Sequence, residues 1–190
     1  MAGDWLSGSR SEAAVDRILD AADELFAHRD AAGVGMHDVA KASGCSRATL
    51  YRYFENRDAL YTAYVHREAQ RVFRDLADEP VASADPGDRI VAVVLAALRR
   101  VRESPALSSW FAPAQRPIGG EMADRSEVIG GLTEAYLTAL GVDDVERRAR
   151  WLVRIMVSLL VFPGRDEADE RTMLEDFVLP TLVIGGRAAR

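Results

Sequence analysis

Apolar residues recur at spacings of three and four from near the start of the chain to near its end. This spacing places them on one face of an α-helix, which is buried when that face packs against other helices. We find no strand-like alternation of useful length and no internal repeat, so the chain is predicted to be all-α. The first such stripe consists of Val15, Ile18, Leu19, Ala22, Leu25 and Phe26.

Four later segments show the same periodicity. Turn-forming residues in 78–88 and 112–120 predict loops on either side of a helix whose stripe runs from Ile90 to Leu98. Residues 126–140 and 145–161 also predict helices. The last helix is expected to begin near Asp166 or Glu167 and to bend at Pro180.

The N-terminal part predicts a compact group of helices. Ser11 is the expected N-cap of a first helix that fades near 28–33, and Ser46 and Asn56 are the expected N-caps of a third and a fourth helix. A short second helix lies between the first and the third and ends at Ser43 and Gly44. The second and third helices have only about two turns each and are too short to be stable alone, so they must pack on the first and fourth.

The third predicted helix has two chemically different faces. At about 100° per residue, Leu50, Tyr53 and Phe54 share the inward side. The outward side presents two guanidiniums, a phenol and a methyl group, from Arg47, Arg52, Tyr51 and Ala48. Guanidiniums bind phosphate or the acceptor pair of guanine, and a methyl group can contact thymine. Two short helices joined by a tight turn predict a helix-turn-helix whose second helix reads DNA.

The charge distribution fits that prediction. The whole chain has a formal net charge of −6 and a pI near 5.2, which argues against indiscriminate binding to nucleic acid. Between Lys41 and Arg57, however, four basic residues outnumber the single acidic residue Glu55. The positive charge is therefore local, as a DNA-reading surface requires.

Two stretches resemble a known family. "ILDAADELFA" (18–27) and "MHDVAKASGCSRATLYRYFENRDALY" (36–61), with the spacing between them, are similar to the DNA-binding domain of TetR-type transcriptional repressors. The resemblance implies a homodimer that binds a palindromic operator and a C-terminal ligand-binding domain, with dimerisation through the last two long helices. The DNA contacts that it implies are His37, Ser46, Arg47, Ala48, Thr49, Tyr51, Arg52 and Arg57.

Two positions depart from the family pattern. Gly35 stands where the second helix usually begins with Thr or Ser, and Ala48 stands where Gly or Pro is frequent. Both departures affect which operator is read. The expected division of the chain is a flexible arm (1–10), a helix-turn-helix domain (11–57), and a ligand-binding and dimerisation domain (58–190).

The C-terminal domain offers candidates for two sites. A cavity between helices would bind an effector of apolar character. Its predicted lining is Leu95, Leu98, Trp110, Phe111, Met122, Tyr136 and Trp151. The predicted dimer interface is Trp151, Ile155, Leu159, Met173, Phe177 and Leu182.

An alternative interpretation keeps the fold and drops DNA binding: a helical small-molecule-binding protein or enzyme. The sequence shows no nucleophile and base pair, phosphate loop or metal-ligand spacing, so neither catalysis nor a cofactor nor a metal is predicted. The single cysteine, Cys45, excludes an internal disulfide and fits the cytoplasm, and no apolar run predicts a membrane span. Whether the protein represses or activates stays open at this point.

Overall fold

The computed structural model describes residues 5–78, 83–112 and 118–183, and within these ranges it contains helices and no strand. The helices in chain order are α1 (Trp5–His28), α2 (Met36–Ala42), α3 (Arg47–Tyr53), α4 (Arg57–Ala77), α5 (Pro86–Glu103), α6 (Pro105–Ser108), α7 (Gly119–Arg125), α8 (Glu127–Ala139), α9 (Val145–Val161), α10 (Glu167–Met173) and α11 (Leu179–Val183). A 3-10 turn (Ala31–Gly33) precedes α2, and a π-helical turn (Leu174–Val178) joins α10 to α11. The predicted all-α fold is confirmed.

The first helix begins earlier than predicted. Ser11 lies inside α1, so its assignment as the N-cap is wrong. No proline occurs in the segment, and serine costs only a few tenths of a kcal/mol in a helix interior, so a helix can pass through it. Residues 5–10, predicted as part of a flexible arm, belong to α1, while residues 1–4 lie outside the described part of the chain.

The other predicted helix starts are confirmed by their hydrogen bonds. Ser46 Oγ accepts from the Thr49 amide at 3.0 Å, and Asn56 Oδ1 accepts from the Ala59 amide at 2.8 Å. Asp166 caps α10 in the same way, accepting from the Asp169 amide at 2.8 Å. Such caps satisfy amides that have no partner within the helix.

Two short helices were not predicted. The helix α6 begins after the Ser104 cap with a proline in its first turn. Helix α7 starts in the predicted loop 112–120, of which 113–117 lie outside the described residues. Its first residue, Gly119, donates to the Trp110 carbonyl at 3.0 Å, and a Cβ there would lie 2.7 Å from the Phe111 ring. Tertiary packing rather than local propensity therefore places α7.

A π-helical turn precedes Pro180, the residue at which the sequence predicts a bend. Proline has no amide hydrogen, and its ring collides with the carbonyl four residues earlier in a regular helix. The wider turn at Leu174–Val178 changes the hydrogen-bonding register just before the proline. The chain from Glu167 to Val183 consequently stays helical.

A first core holds α1 to α4 together. Its buried members include Phe26 from α1, Leu50 from α3 and Tyr64 from α4, each fully buried. Ala106 and Trp110, from α6 and the residues after it, belong to the same core. The predicted boundary at residue 57 lies at the start of α4, whereas this core reaches Tyr64 and the α6 segment.

A second core lies between α5, α8, α9 and the α10–α11 region. It contains Ile90, Leu98, Leu137, Leu152 and Leu174, all nearly inaccessible. At its edge the buried carboxylate of Glu170 receives two bonds from Arg102, at 2.6 and 2.9 Å. In the described parts of the chain, no helix combines the length and apolarity that a membrane crossing requires.

Candidate nucleic-acid interface and ligand cavity

The outward face of α3 lies at the surface as predicted. Arg47, Ala48, Tyr51 and Arg52 are all exposed, with 46% of Tyr51 accessible, while Leu50 on the opposite face is fully buried. The Arg52 guanidinium lies 5.2 Å from the centre of the Tyr53 ring and 3.4 Å from its hydroxyl. The face therefore offers forked donors and a phenol on a helix whose other side is anchored.

The start of α3 is fixed by two hydroxyl groups. The Ser46 hydroxyl accepts from the Thr49 amide and lies 2.9 Å from the Thr49 hydroxyl. The preceding turn is closed by Gly44, whose φ of +68° lies in the left-handed region where glycine is favoured. The orientation of α3 relative to α2 is thus set by local backbone bonding.

Replacing Ser46 with alanine should lower the free energy of unfolding by about 1 kcal/mol, because the Thr49 amide loses its cap. Urea denaturation followed by circular dichroism measures this loss. Ser46→Asn is the matched control, since asparagine also caps helices, and it should retain most of the stability. An unchanged unfolding midpoint for Ser46→Ala would contradict a capping role.

The second helix presents His37 at the surface. His37 is exposed in the first turn of α2. In the same turn, the carboxylate of Asp38 accepts from the Gly35 amide at 2.9 Å and pairs with Arg29 at 3.2 Å. The bond from the Gly35 amide, aided by Arg29, lowers the pKa of Asp38. Asp38 thus satisfies the amide of Gly35, while no side chain at Gly35 accepts from the amides of the first turn.

Arg57 differs from the other predicted contacts because its guanidinium is engaged within the protein. Its Nη2 donates to the Ala32 carbonyl at 2.7 Å, and the guanidinium lies 4.7 Å from the centre of the Tyr61 ring. The Tyr61 hydroxyl lies within 2.5 Å of the Ala31 carbonyl and 2.7 Å of the Val34 carbonyl. Together Arg57 and Tyr61 fix the turn between α1 and α2 to α4.

A cavity of about 160 Å³ lies between α4, α5, α8 and α9, with the segment around Trp110 and α7 at one side. Carbon atoms form almost its entire surface. Its lining includes Tyr64, Val65, Glu68, Ala69, Val72, Phe73, Leu76, Val93, Val94, Ala97, Val101, Leu107, Trp110, Phe111, Gly119, Ala123, Ile129, Thr133, Tyr136, Leu152, Val153, Met156, Val157 and Leu160. Such apolar clefts with few polar groups are typical of small-molecule sites.

Glu68 is the only charged residue among the described residues that line the cavity. Its Oε1 accepts from Arg67 Nε and from Arg71 Nη1, both at 3.0 Å. Burial raises the pKa of Glu68, while the guanidiniums of Arg71 and Arg67 oppose that rise. Arg67 also reaches Asp20 of α1 at 2.7 Å, so the cavity wall is linked to the helix that supports α2 and α3.

Comparison with known proteins identifies the family. Residues 18–64 match the family described as bacterial regulatory proteins, tetR family. An uncharacterized HTH-type transcriptional regulator of Mycobacterium tuberculosis is 56% identical over all of this chain and 96% of its own length. The chain belongs to the TetR family. It is thus a transcriptional regulator with a helix-turn-helix DNA-binding domain and not an enzyme.

Two solved structures share the fold. RolR in complex with resorcinol superposes with a TM-score of 0.71 at 17% identity, over 92% of this chain and 89% of that one. The TetR-family repressor FadR of Thermus thermophilus, in complex with lauroyl-CoA, gives a TM-score of 0.62 at 19% identity, over 93% and 98%. At these identities the likeness concerns the fold alone.

The predicted cavity residues of this TetR-family chain fall into two groups. Trp110, Phe111 and Tyr136 line the cavity. Leu95 and Leu98 instead lie in the second core, because the neighbouring face of α5, with Val94 and Ala97, is the one turned to the cavity. Their prediction as lining residues is corrected accordingly.

Met122 and Trp151 also lie away from the cavity. Met122 borders a separate cleft between α4 and α7, together with Arg57 and Tyr61. Trp151 is 46% exposed on the outer face of α9, whereas its neighbours Leu152 and Val153 face inward and line the cavity.

The predicted interface residues also divide. Trp151, Met173 and Phe177 are exposed by 46%, 41% and 71%, and Ile155 is half-buried, so these four are available to a partner. Leu159 and Leu182 are buried in the second core, so their prediction as interface residues is corrected. Phe162, which sequence reasoning missed, is 75% exposed just after α9.

Glu68 was missed as a cavity residue, although the sequence contains a signal for it. On α4 it occupies the middle of a stripe spaced by four residues, which runs through Leu60, Tyr64, Val72 and Leu76. A charged residue at such a position either pairs within the protein or faces a cavity. Here it does both.

Proposed function

We propose that this TetR-family regulator is a repressor that binds a palindromic operator as a homodimer. The observation that carries the proposal is the exposed arginine and tyrosine face of α3, held by the Ser46 cap on one side and by buried Leu50 on the other. Such a face can enter a major groove and donate to base edges and phosphates. Base contacts would come from Arg47, Tyr51 and Arg52, and His37 and Thr49 would contact the backbone.

Exposed apolar side chains support the homodimer. Trp151 on α9 and Met173 and Phe177 near the end of the chain are large, apolar and accessible to solvent. Side chains of this kind are typical of the buried centre of homodimer interfaces. A two-fold dimer would present two copies of α3 to two half-sites, which matches a palindromic operator.

Helix α4 supports release of the operator by a ligand, because it belongs to both units. Its first part contacts the turn before α2 through Arg57 and Tyr61, and its later part lines the cavity with Glu68 and Val72. A ligand that prefers one position of α4 would thereby change the separation of the two α3 helices. Both α3 helices can enter successive major grooves only while their separation matches the spacing of the two half-sites.

A cluster of aromatic side chains is the second connection between the cavity and the N-terminal helices. Trp110 lines the cavity, stacks on Tyr64 at 5.5 Å between ring centres, and meets Phe26 of α1 edge-on at 5.0 Å. Two of the solved structures that share the fold, RolR and FadR of Thermus thermophilus, carry small molecules, resorcinol and lauroyl-CoA. We propose that the cavity of this chain likewise binds a small molecule. We also propose that the protein acts in the cytoplasm.

Selection of bound DNA from a random pool tests the proposal. We expect a short palindrome whose half-sites lie about 10–10.5 base pairs apart, or a multiple of that. Affinity for the selected DNA should fall linearly on a log–log plot against salt, with a slope of about 0.9 per neutralised phosphate. Sedimentation of the protein alone should give twice the mass of the chain.

Recovery of all DNA sequences to the same extent, with no dependence of DNA affinity on salt, would instead support the alternative, a helical small-molecule-binding protein that does not bind DNA. A monomer that still selects DNA would contradict the homodimer and leave the reading face intact. Compounds are then screened for release of the selected DNA. Tighter binding of DNA in the presence of a cavity ligand would contradict ligand-induced release.

A further inference from the structure

We infer that the cavity takes an uncharged, mainly apolar molecule about the size of one substituted aromatic ring, bearing a hydroxyl group that donates to Glu68. The inference rests on the proposed function only in taking this cavity as the effector site. It adds the chemical class of the ligand and the residue that selects its polar group.

The size follows from the cavity volume. The volume of the cavity is about 160 Å³. An engineered apolar cavity of about 150 Å³ in another protein takes up benzene. A long acyl chain exceeds this volume, so it would fit only if lining side chains such as Phe73 of α4 and Met156 of α9 moved.

The apolar character follows from the lining. The polar atoms available at the surface of the cavity are few, and among its described lining residues there is no lysine, arginine or histidine. A carboxylate or phosphate ligand would thus lose its hydration without gaining a cation, and it would also face the carboxylate of Glu68. The cost of burying an unpaired charge is far larger than that of burying a hydroxyl.

The hydroxyl follows from the bonding around Glu68. Both arginine bonds go to Oε1, from Arg67 and Arg71, and the described contacts include no hydrogen bond to Oε2. The side chain is 11% exposed and is the only charged one among the described residues that line the cavity; the hydroxyls of Thr133 and Tyr136, which also line it, donate to backbone carbonyls. An ionised carboxylate accepts up to about four hydrogen bonds, so Oε2 can receive a donor from a ligand.

The neighbouring charges favour an uncharged donor over a cationic one. Asp20 and Glu68 are paired with Arg67 and Arg71, and the nearby carboxylate of Asp23 accepts from the Tyr64 hydroxyl. A protonated amine next to Oε2 would add a positive charge beside two guanidiniums. A hydroxyl group gains the charge-assisted bond without that repulsion.

Calorimetric titration of the protein without DNA tests the inference with a matched set of probes. The set comprises 4-ethylphenol, 4-ethylanisole, 4-ethylbenzylamine, 4-ethylbenzoate and 4-octylphenol. We expect 4-ethylphenol to bind about 10-fold more tightly than 4-ethylanisole, which keeps the ring and the oxygen but cannot donate. The amine and the carboxylate should bind more weakly still, and the octyl chain should bring no gain.

The variant Glu68→Gln should reduce the preference for 4-ethylphenol over 4-ethylanisole to about 2-fold, because an amide oxygen is a weaker acceptor than a carboxylate. Glu127→Gln, an exposed change on α8, is the matched control and should keep the full preference. Thermal unfolding of each variant shows whether it is folded. If Glu68→Gln does not fold, the wild-type probe series decides alone.

The inference is overturned if 4-ethylanisole, the amine or the carboxylate binds wild type as tightly as 4-ethylphenol. It is also overturned if 4-octylphenol gains about 10-fold or more, or if no probe binds. These results leave DNA selection unaffected, so failure of the ligand class and failure of operator binding are observed separately. A protein that binds 4-ethylphenol and selects no DNA would keep the inference and reject the proposed function.

Discussion

Replacing Tyr51 and Arg52 together with alanine is expected to lower affinity for the selected operator by at least about 100-fold. Both side chains are exposed on α3. Because each protomer carries both substitutions, the dimer lacks four of these side chains. Each well-formed base contact contributes about 1–3 kcal/mol, so even partial loss of these contacts reaches that factor. A gel shift or fluorescence anisotropy titration at fixed salt measures the change.

The control is Arg147→Ala, which removes an equal charge from α9, where Arg147 is 79% exposed. It should change operator affinity by less than about 2-fold, because it lies outside the reading face. Circular dichroism and sedimentation should show both variants folded and in the same oligomeric state, since neither Tyr51 nor Arg52 supports the core. If the double variant retains the operator, α3 is not the reading helix.

The reading face could be predicted because its determinants are local. The Ser46 cap, the tight turn at Gly44 and a helical stripe centred on Leu50 all lie within a few residues of Arg47 and Tyr51. A helix of known start and period has known faces, and one apolar anchor decides which face is outward. The same reasoning identified the caps at Asn56 and Asp166.

The cavity could be predicted only in part, because its lining depends on how distant helices meet. Helix α5 is apolar on two adjoining faces, and Val94 and Leu95 differ by one position along the chain. Nothing local indicates which face meets α4 and which meets α10. The chemical character of the side chains limits the candidate lining residues to apolar and aromatic ones. Only the packing of the helices determines which of these residues face the cavity.

Arg57 illustrates the same limit for a polar residue. Its place at the start of α4, beside a basic segment, suggested a phosphate contact. Its guanidinium lies against the Ala32 carbonyl, 25 positions earlier, and over the Tyr61 ring. A backbone acceptor brought from another element cannot be read from a helical pattern. The structure therefore gives Arg57 a contact inside the N-terminal unit that the sequence did not indicate.

The second large effect is expected in the C-terminal unit, at the ion pair of Glu170 and Arg102. Glu170 is 1% exposed and holds three donors: both terminal nitrogens of Arg102, at 2.6 and 2.9 Å, and the Gly164 amide at 3.0 Å. A Cβ at Gly164 would lie 2.7 Å from Glu170 Cγ, so glycine is required for this approach. The pair connects α10 to α5 at the edge of the second core.

Replacing Glu170 with glutamine should lower the free energy of unfolding by about 2 kcal/mol at neutral pH, because one charge-assisted bond from Arg102 is lost, while the amide oxygen keeps one acceptor and the 35% exposed Arg102 side chain keeps its bond to the Leu159 carbonyl. Glu175→Gln on the π-helical turn removes an exposed partner of Arg171, at 3.7 Å, and should cost less than about 0.5 kcal/mol. Urea denaturation of both variants beside wild type provides the comparison. Equal stability of the two variants would show that burial of Glu170 adds nothing.

The same difference should depend on pH with a defined sign. Hydrogen bonds from Arg102 lower the pKa of Glu170 below its ordinary value of 4.5, so the folded state holds the proton less tightly than the unfolded state. The stabilisation is complete above about pH 5 and is lost as the pH falls through the lowered pKa. Unfolding free energies of wild type and Glu170→Gln should therefore converge on acidification. A gap that stays constant down to the acid transition would mean that the introduced amide disturbs packing and that the ion pair itself contributes little.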